Sequence, residues 1–103
     1  MSELVEQWRL SAVEWLDKKK AAEMLAETKN DYLAEISSGI EAKSEAEKNR
    51  LARLSQDWKD YRQKMLDANH EERVTKIRLA HRKMLFEAWR SENANARTER
   101  SGL

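Results

Sequence analysis

Along the middle of the chain, apolar residues recur alternately three and four positions apart, at Leu51, Leu54, Trp58, Tyr61, Met65 and Ala68, with charge filling the gaps. That spacing lines up one stripe on a helix of 3.6 residues per turn and predicts a helix that lies against another helix. An earlier stretch repeats the pattern. Trp8, Trp15, Ala22, Lys29 and Ile36 recur every seven residues, and Leu4, Ser11, Lys18, Leu25 and Tyr32 form the companion column, flanked by Val5, Ala12, Ala26 and Leu33. The run Lys18-Lys19-Lys20 interrupts this seam. Val13 and Leu16 fall off it, so the first turns carry a wider apolar stripe of the kind two neighbours would cover. Ala21, Ala22 and Ala26 permit close helix approach.

The punctuation between these stretches sets the elements. Ser2 with Glu3 and Glu6 reads as an N-cap followed by acidic residues that suit the positive end of a helix dipole. Ser37-Ser38-Gly39 is the strongest break in the first two-thirds of the chain: Gly39 suits a left-handed C-cap, and Ser38 with Glu41 fits a capping box. Ser44 with Glu47 is a second candidate start, so the connection is between two and six residues long, and helices joined so closely pack antiparallel.

Beyond Ala68 the same columns would place Glu72 and Thr75 inside, so a register break is expected here. Val74, Ile77, His81, Met84 and Ala88 form a new stripe displaced by two positions, widened by Leu79, Leu85, Phe86 and Trp89. Asn69 and Glu72 make a cap-like pair, so the chain either turns into a third helix or continues straight through a stutter. If it continues, the second helix overhangs its partner, and another subunit would cover the overhang. The expected elements are helix 1 over about 3–37, a turn over 37–43, helix 2 over about 44–67 and a third helix or continuation over about 69–96. They form a single helical domain, 1–97, with a frayed tail over 98–103. The expected fold class is all-α: an antiparallel coiled-coil helical hairpin or a three-helix bundle, oligomeric in either case.

Composition narrows the classes further. A chain of 103 residues bounds one domain. No proline, two glycines and 38% charged residues are poor material for a turn-rich β fold. No cysteine is present, which excludes disulfides, cysteine-based zinc sites and thiol catalysis. No apolar run is long enough to span a bilayer, and no secretory h-region follows a basic N-terminus, so a cytoplasmic location is expected. Long helices expose much of their surface unless another chain covers it, which favours a homo-oligomer, a dimer first.

Motifs of catalysis are missing. His70-Glu71 opens like a zinc-protease helix, but Val74 stands where the second histidine belongs. His70 and His81 lie eleven residues apart with no third ligand evident. Glycine occurs only at positions 39 and 102, which leaves no phosphate-cradling loop. No serine is bracketed by glycines, and pairs such as Glu71/Glu72 read as surface carboxylates. The reading is a non-enzymatic chain without metal, cofactor or small-molecule substrate, whose assembly interface draws on Trp58, Tyr61, Met65, Ile77, Met84 and Phe86.

Charge is distributed unevenly. Residues 1–40 hold eight acids and five bases, net −3, whereas residues 71–103 hold five acids and eight bases, net +3. Three readings stay open, one of them a basic amphipathic helix lying on a membrane surface. The acidic first helix pairs with the basic last segment, within one chain or across a dimer. Alternatively Arg73, Lys76, Arg78, Arg82, Lys83 and Arg90 form a stripe that faces the phosphates of a nucleic acid, diluted by Glu87 and Glu92.

Glu87-Ala88-Trp89-Arg90-Ser91, followed by Ala94, Arg97, Glu99 and Leu103, resembles the C-terminal signature of small coiled-coil phage and prophage proteins, often encoded near recombination genes. The resemblance covers under a fifth of the chain. It implies an accessory role in the host cytoplasm and a partner that is protein or DNA.

Overall fold

The computed structural model describes the backbone of residues 2–101 and the side chains of residues 3–97. Helix α1 spans Ser2–Ser38, α2 spans Glu45–Leu54 and α3 spans Gln56–Ser101, and no strand occurs among the described residues. The fold is all-α. The expected cap at Ser2 involves a side chain outside the described residues, as do Gly102 and Leu103 of the expected frayed tail; the backbone is helical through Ser101.

The connection after α1 differs in detail from the expectation. Gly39 does not adopt a left-handed conformation. Its N–H donates to the Ile36 carbonyl at 3.2 Å and the Ile40 N–H to the Ser37 carbonyl at 3.1 Å, tight bonds of the kind that satisfy the last carbonyls of a helix without a positive φ. Ser38 turns its hydroxyl back to the Glu35 carbonyl at 2.7 Å and so does not cap the next helix. Ser44 caps α2, its side chain accepting from the Glu47 N–H at 3.2 Å.

The second half of the chain corrects one expectation and decides between two alternatives. The stripe from Leu51 to Ala68 is not carried by one helix, because Ser55 breaks it. The Ser55 hydroxyl donates to the Ala52 carbonyl and accepts from the Trp58 N–H at 3.2 Å, while its ψ of 153 takes the backbone out of helical geometry. One side chain thereby closes α2 and opens α3. Leu54 is left exposed and Ala52 becomes fully buried. The chain does not turn at residues 67–72, where α3 is continuous.

The chain divides into two compact units. Lys18–Glu72 forms one of them, and the buried apolar residues of the described chain, Ala52, Trp58 and Tyr61, all belong to it. Here α1 and α3 run antiparallel, Lys18 lying 3.9 Å from Glu71 and Thr28 Oγ1 2.7 Å from the Tyr61 hydroxyl. Tyr61 stacks on Tyr32 at a centroid separation of 4.6 Å and on Trp58 at 5.8 Å, and its hydroxyl donates to the Leu25 carbonyl. Burying large rings whose polar tips are bonded is how so few residues make a core. Ser37, also buried, bonds Asn49 at 3.4 Å and ties α2 to the end of α1.

The other unit joins the chain up to Asp17 to the chain from Arg73 onward. It is a two-helix antiparallel pair, Trp8 against Phe86 with centroids 5.2 Å apart and Glu14 against Arg78 at 2.6 Å. Its seam on α1 follows the expected seven-residue columns through Leu4, Trp8, Ser11 and Trp15. Its seam on α3 overturns the expected register break: Thr75, Leu79, Arg82, Phe86 and Trp89 turn inward, continuing the three-four spacing of Trp58, Tyr61, Met65 and Ala68. Thr75, only 1% exposed, is the most buried residue there, with Ser11 at 5%. Ser11 is small enough to sit there, and Thr75 and Arg82 find partners. Arg82 donates to Gln7 Oε1 at 2.7 Å, and no buried side-chain nitrogen or oxygen among the described residues lacks a hydrogen bond.

Candidate functional site

With the polar columns turned inward, the apolar ones of the same unit face out. Ile77 is 70% exposed and Met84 66%, with Leu85, His81 and Ala88 exposed beside them. On α1, Val5, Leu10, Val13 and Leu16 are exposed as well. The stripe of Val74, Ile77, His81, Met84 and Ala88 therefore exists, but it does not meet α1; only Val74 is half-buried. Likewise Val13 and Leu16 do widen the apolar surface of α1, and no helix of the described chain covers them. The distribution in this unit is inverted: its buried residues are Ser11 and Thr75, and its exposed large hydrophobics number seven of the ten in the described chain. Exposed apolar residues scattered singly carry no message, whereas a row repeating along one helix face does.

The six residues read as an assembly interface separate into two groups. Trp58 and Tyr61 are buried between helices of their own chain, Met65 is half-buried below them, and Phe86 packs between Trp8 and Trp89. Ile77 and Met84 stand free on the outward face of α3. Compared with known proteins, the chain matches no family model, no curated protein and no solved structure.

The six basic residues divide as well. Arg78 is bound to Glu14 and Arg82 to Gln7, so both serve the seam. Arg73, Lys76, Lys83 and Arg90 are exposed, and none of them forms an ion pair within the described chain. Lys76, Lys83 and Arg90 succeed one another at seven-residue intervals, directly beside Ile77, Met84 and Ser91. On the outward side of α1 the signs are opposite. Glu3 and Asp17 lie seven residues before and after Leu10 on one row, and Glu6 lies on the neighbouring row seven before Val13. Glu6 accepts from Arg9, which holds its carboxyl below the usual glutamate value, chiefly through that hydrogen bond.

Concave chemistry is sparse by comparison. One groove is lined by Leu25, Tyr32, Asp57, Asp60, Tyr61 and Lys64, and another, almost wholly apolar, by Val5, Trp8, Arg9 and Ala12. No group of three metal-ligating side chains occurs among the described residues, and both histidines are exposed. No described helix is long and apolar enough to cross a membrane.

Both outward stripes are legible in the sequence, but its periodicity puts the α3 stripe on the inside. A signal for the true register was present in the spacing: the three-four pattern starting at Trp58 runs unbroken to Trp89 if Glu72, Thr75 and Arg82 are accepted as inner positions.

Proposed function

We propose that this chain is a non-enzymatic helical interaction protein that acts by self-association and by binding a macromolecular partner along the outward faces of its Asp17/Arg73 unit. The observation that carries this reading is the inversion in that unit, where Thr75 and Ser11 are buried while Ile77 and Met84 are about two-thirds exposed. A lone helix pair gains nothing from holding such a stripe in water, and covering it returns roughly 25 cal/mol for each Å² of apolar surface removed. A phage or prophage accessory role in a host cytoplasm is the setting that the C-terminal resemblance implies for such a protein.

Sedimentation velocity from low to high micromolar concentration tests this. The expected result is a weight-average sedimentation coefficient that rises with concentration. A strict monomer throughout, unfolding cooperatively, refutes self-association.

A second reading has its own support. Arg73, Lys76, Lys83 and Arg90 are charges that no acid of the described chain neutralises, and a nucleic acid would supply phosphates to them. Titration against single- and double-stranded DNA at two salt concentrations separates the readings. Phosphate contacts by these four residues give log K a slope against log salt of about −3 to −4, and a flat response excludes nucleic acid.

A further inference from the structure

Resting on the self-association just proposed, we infer that the partner is a second copy of this chain, whose acidic α1 face docks on the basic α3 face of the first. The surfaces match in chemistry and differ in sign. The outward side of α1 presents Leu10, Val13 and Leu16 among Glu3, Glu6 and Asp17, with Arg9 and, one turn beyond Leu16, Lys20 the bases. The outward side of α3 presents Ile77 and Met84 among Arg73, Lys76, Lys83 and Arg90, with Glu87 and Glu92 the acids. Three acids against two bases leave the first face negative, and four bases against two acids leave the second positive.

Pairing α3 with α3 sets two positive faces against each other, and pairing α1 with α1 sets two negative ones, arrangements that like-charge repulsion disfavours. Pairing α1 with α3 places apolar row on apolar row and acid opposite base. It is also the arrangement already used inside the unit, where Glu14 holds Arg78. Because the two helices of this unit meet along their seams, their outward faces point in opposite directions. A copy bound through one face keeps the other free, so the contact is heterologous and propagates to further copies instead of stopping at a dimer.

Charge reversal on one face at a time tests the pairing. One variant carries Lys76→Glu and Lys83→Glu, the other Glu3→Gln and Asp17→Lys; circular dichroism checks that helix content is kept, and the neutral pairs Lys76→Gln/Lys83→Gln and Glu3→Gln/Asp17→Asn replace any variant that loses it. Sedimentation at low salt is expected to show species beyond the dimer for the natural chain and association weakened on the order of tenfold or more for each variant alone. Mixing the two reversal variants in equal amounts restores the higher species, because each then offers a face complementary to the other. For the neutral pairs each variant alone is weakened, and mixing restores one natural contact between unlike copies, so recovery stops at a dimer. An α1 variant that associates like the natural chain, a mixture of reversal variants without recovery, or growth of the natural chain that ends at a dimer overturns this pairing while leaving self-association standing. A natural chain that stays monomeric overturns both.

Discussion

Replacing Ile77 and Met84 together by alanine separates folding from association. Ile77 is 70% exposed and Met84 66%, so about a third of each side chain is covered within the chain. Fully burying such a side chain is worth roughly 1.5–3 kcal/mol, so that third contributes about 0.5–1 kcal/mol apiece, and the better helix propensity of alanine returns part of the loss. The double variant is expected to lose no more than about 1–2 kcal/mol of folding stability in urea denaturation at low concentration. The uncovered two-thirds hold roughly 1–2 kcal/mol each for a contact that buries them, or about 2–4 kcal/mol for the pair. Self-association then weakens roughly 30- to 1,000-fold in Kd, read by sedimentation over a concentration series. Trp58→Ala supplies the contrast: at 8% exposure its ring is committed to the fold, and its loss costs about 3–5 kcal/mol of stability. The reasoning fails if the Ile77/Met84 double variant unfolds as readily as Trp58→Ala, or if it associates with unchanged affinity.

Further expectations concern the fold itself. Tyr61→Phe removes the hydroxyl that reaches the Leu25 carbonyl and Thr28, and urea denaturation is expected to show a loss of about 1–2 kcal/mol; an unchanged midpoint would mean that water replaces the bond freely. Ser55→Ala removes the cap shared by α2 and α3 and costs about 1 kcal/mol, with helix content by circular dichroism unchanged; a rise in helicity would mean that the two helices fuse once the cap is gone. The Glu6 carboxyl titrates below the usual glutamate value in NMR, and Arg9→Gln returns it toward that value. Since the folded-state value is the lowered one, the support that this pair gives α1 is present above the ordinary glutamate range and is lost as pH falls through the lowered value.

Much of the architecture was legible in the chain. Apart from exposed Lys29, the seven-residue columns of α1 from Leu4 to Ile36 are the ones that pack. The restart at Ser44 obeys cap chemistry that reads directly from residue types, whereas the stop falls at Ser38 without the left-handed Gly39 or the Ser38 cap. Periodicity alone takes inner positions to be apolar, and this seam does not follow it. Thr75 and Ser11 are small enough to let two helices approach, and Arg82 reaches Gln7 across the seam, so the register runs through polar residues. Ser55 departs from periodicity in the opposite direction. It falls between apolar residues of flawless spacing, and only its two hydrogen bonds, to Ala52 and from Trp58, reveal that the helix ends there. The outward faces were visible as stripes, yet which stripe meets α1 depends on pairings such as Glu14 with Arg78, residues 64 positions apart that periodicity within one helix does not connect.

Concentrating Ala52, Trp58 and Tyr61 in the Lys18–Glu72 unit also fixes the order in which the protein comes apart. Where little apolar surface is shielded, transient opening is cheap, so backbone amides near Ser11 and Thr75 trade hydrogen for deuterium sooner than those near Trp58. A neighbour that seals Ile77 and Met84 slows that trade, making the pace of isotope uptake around Thr75 a gauge of crowding by like molecules.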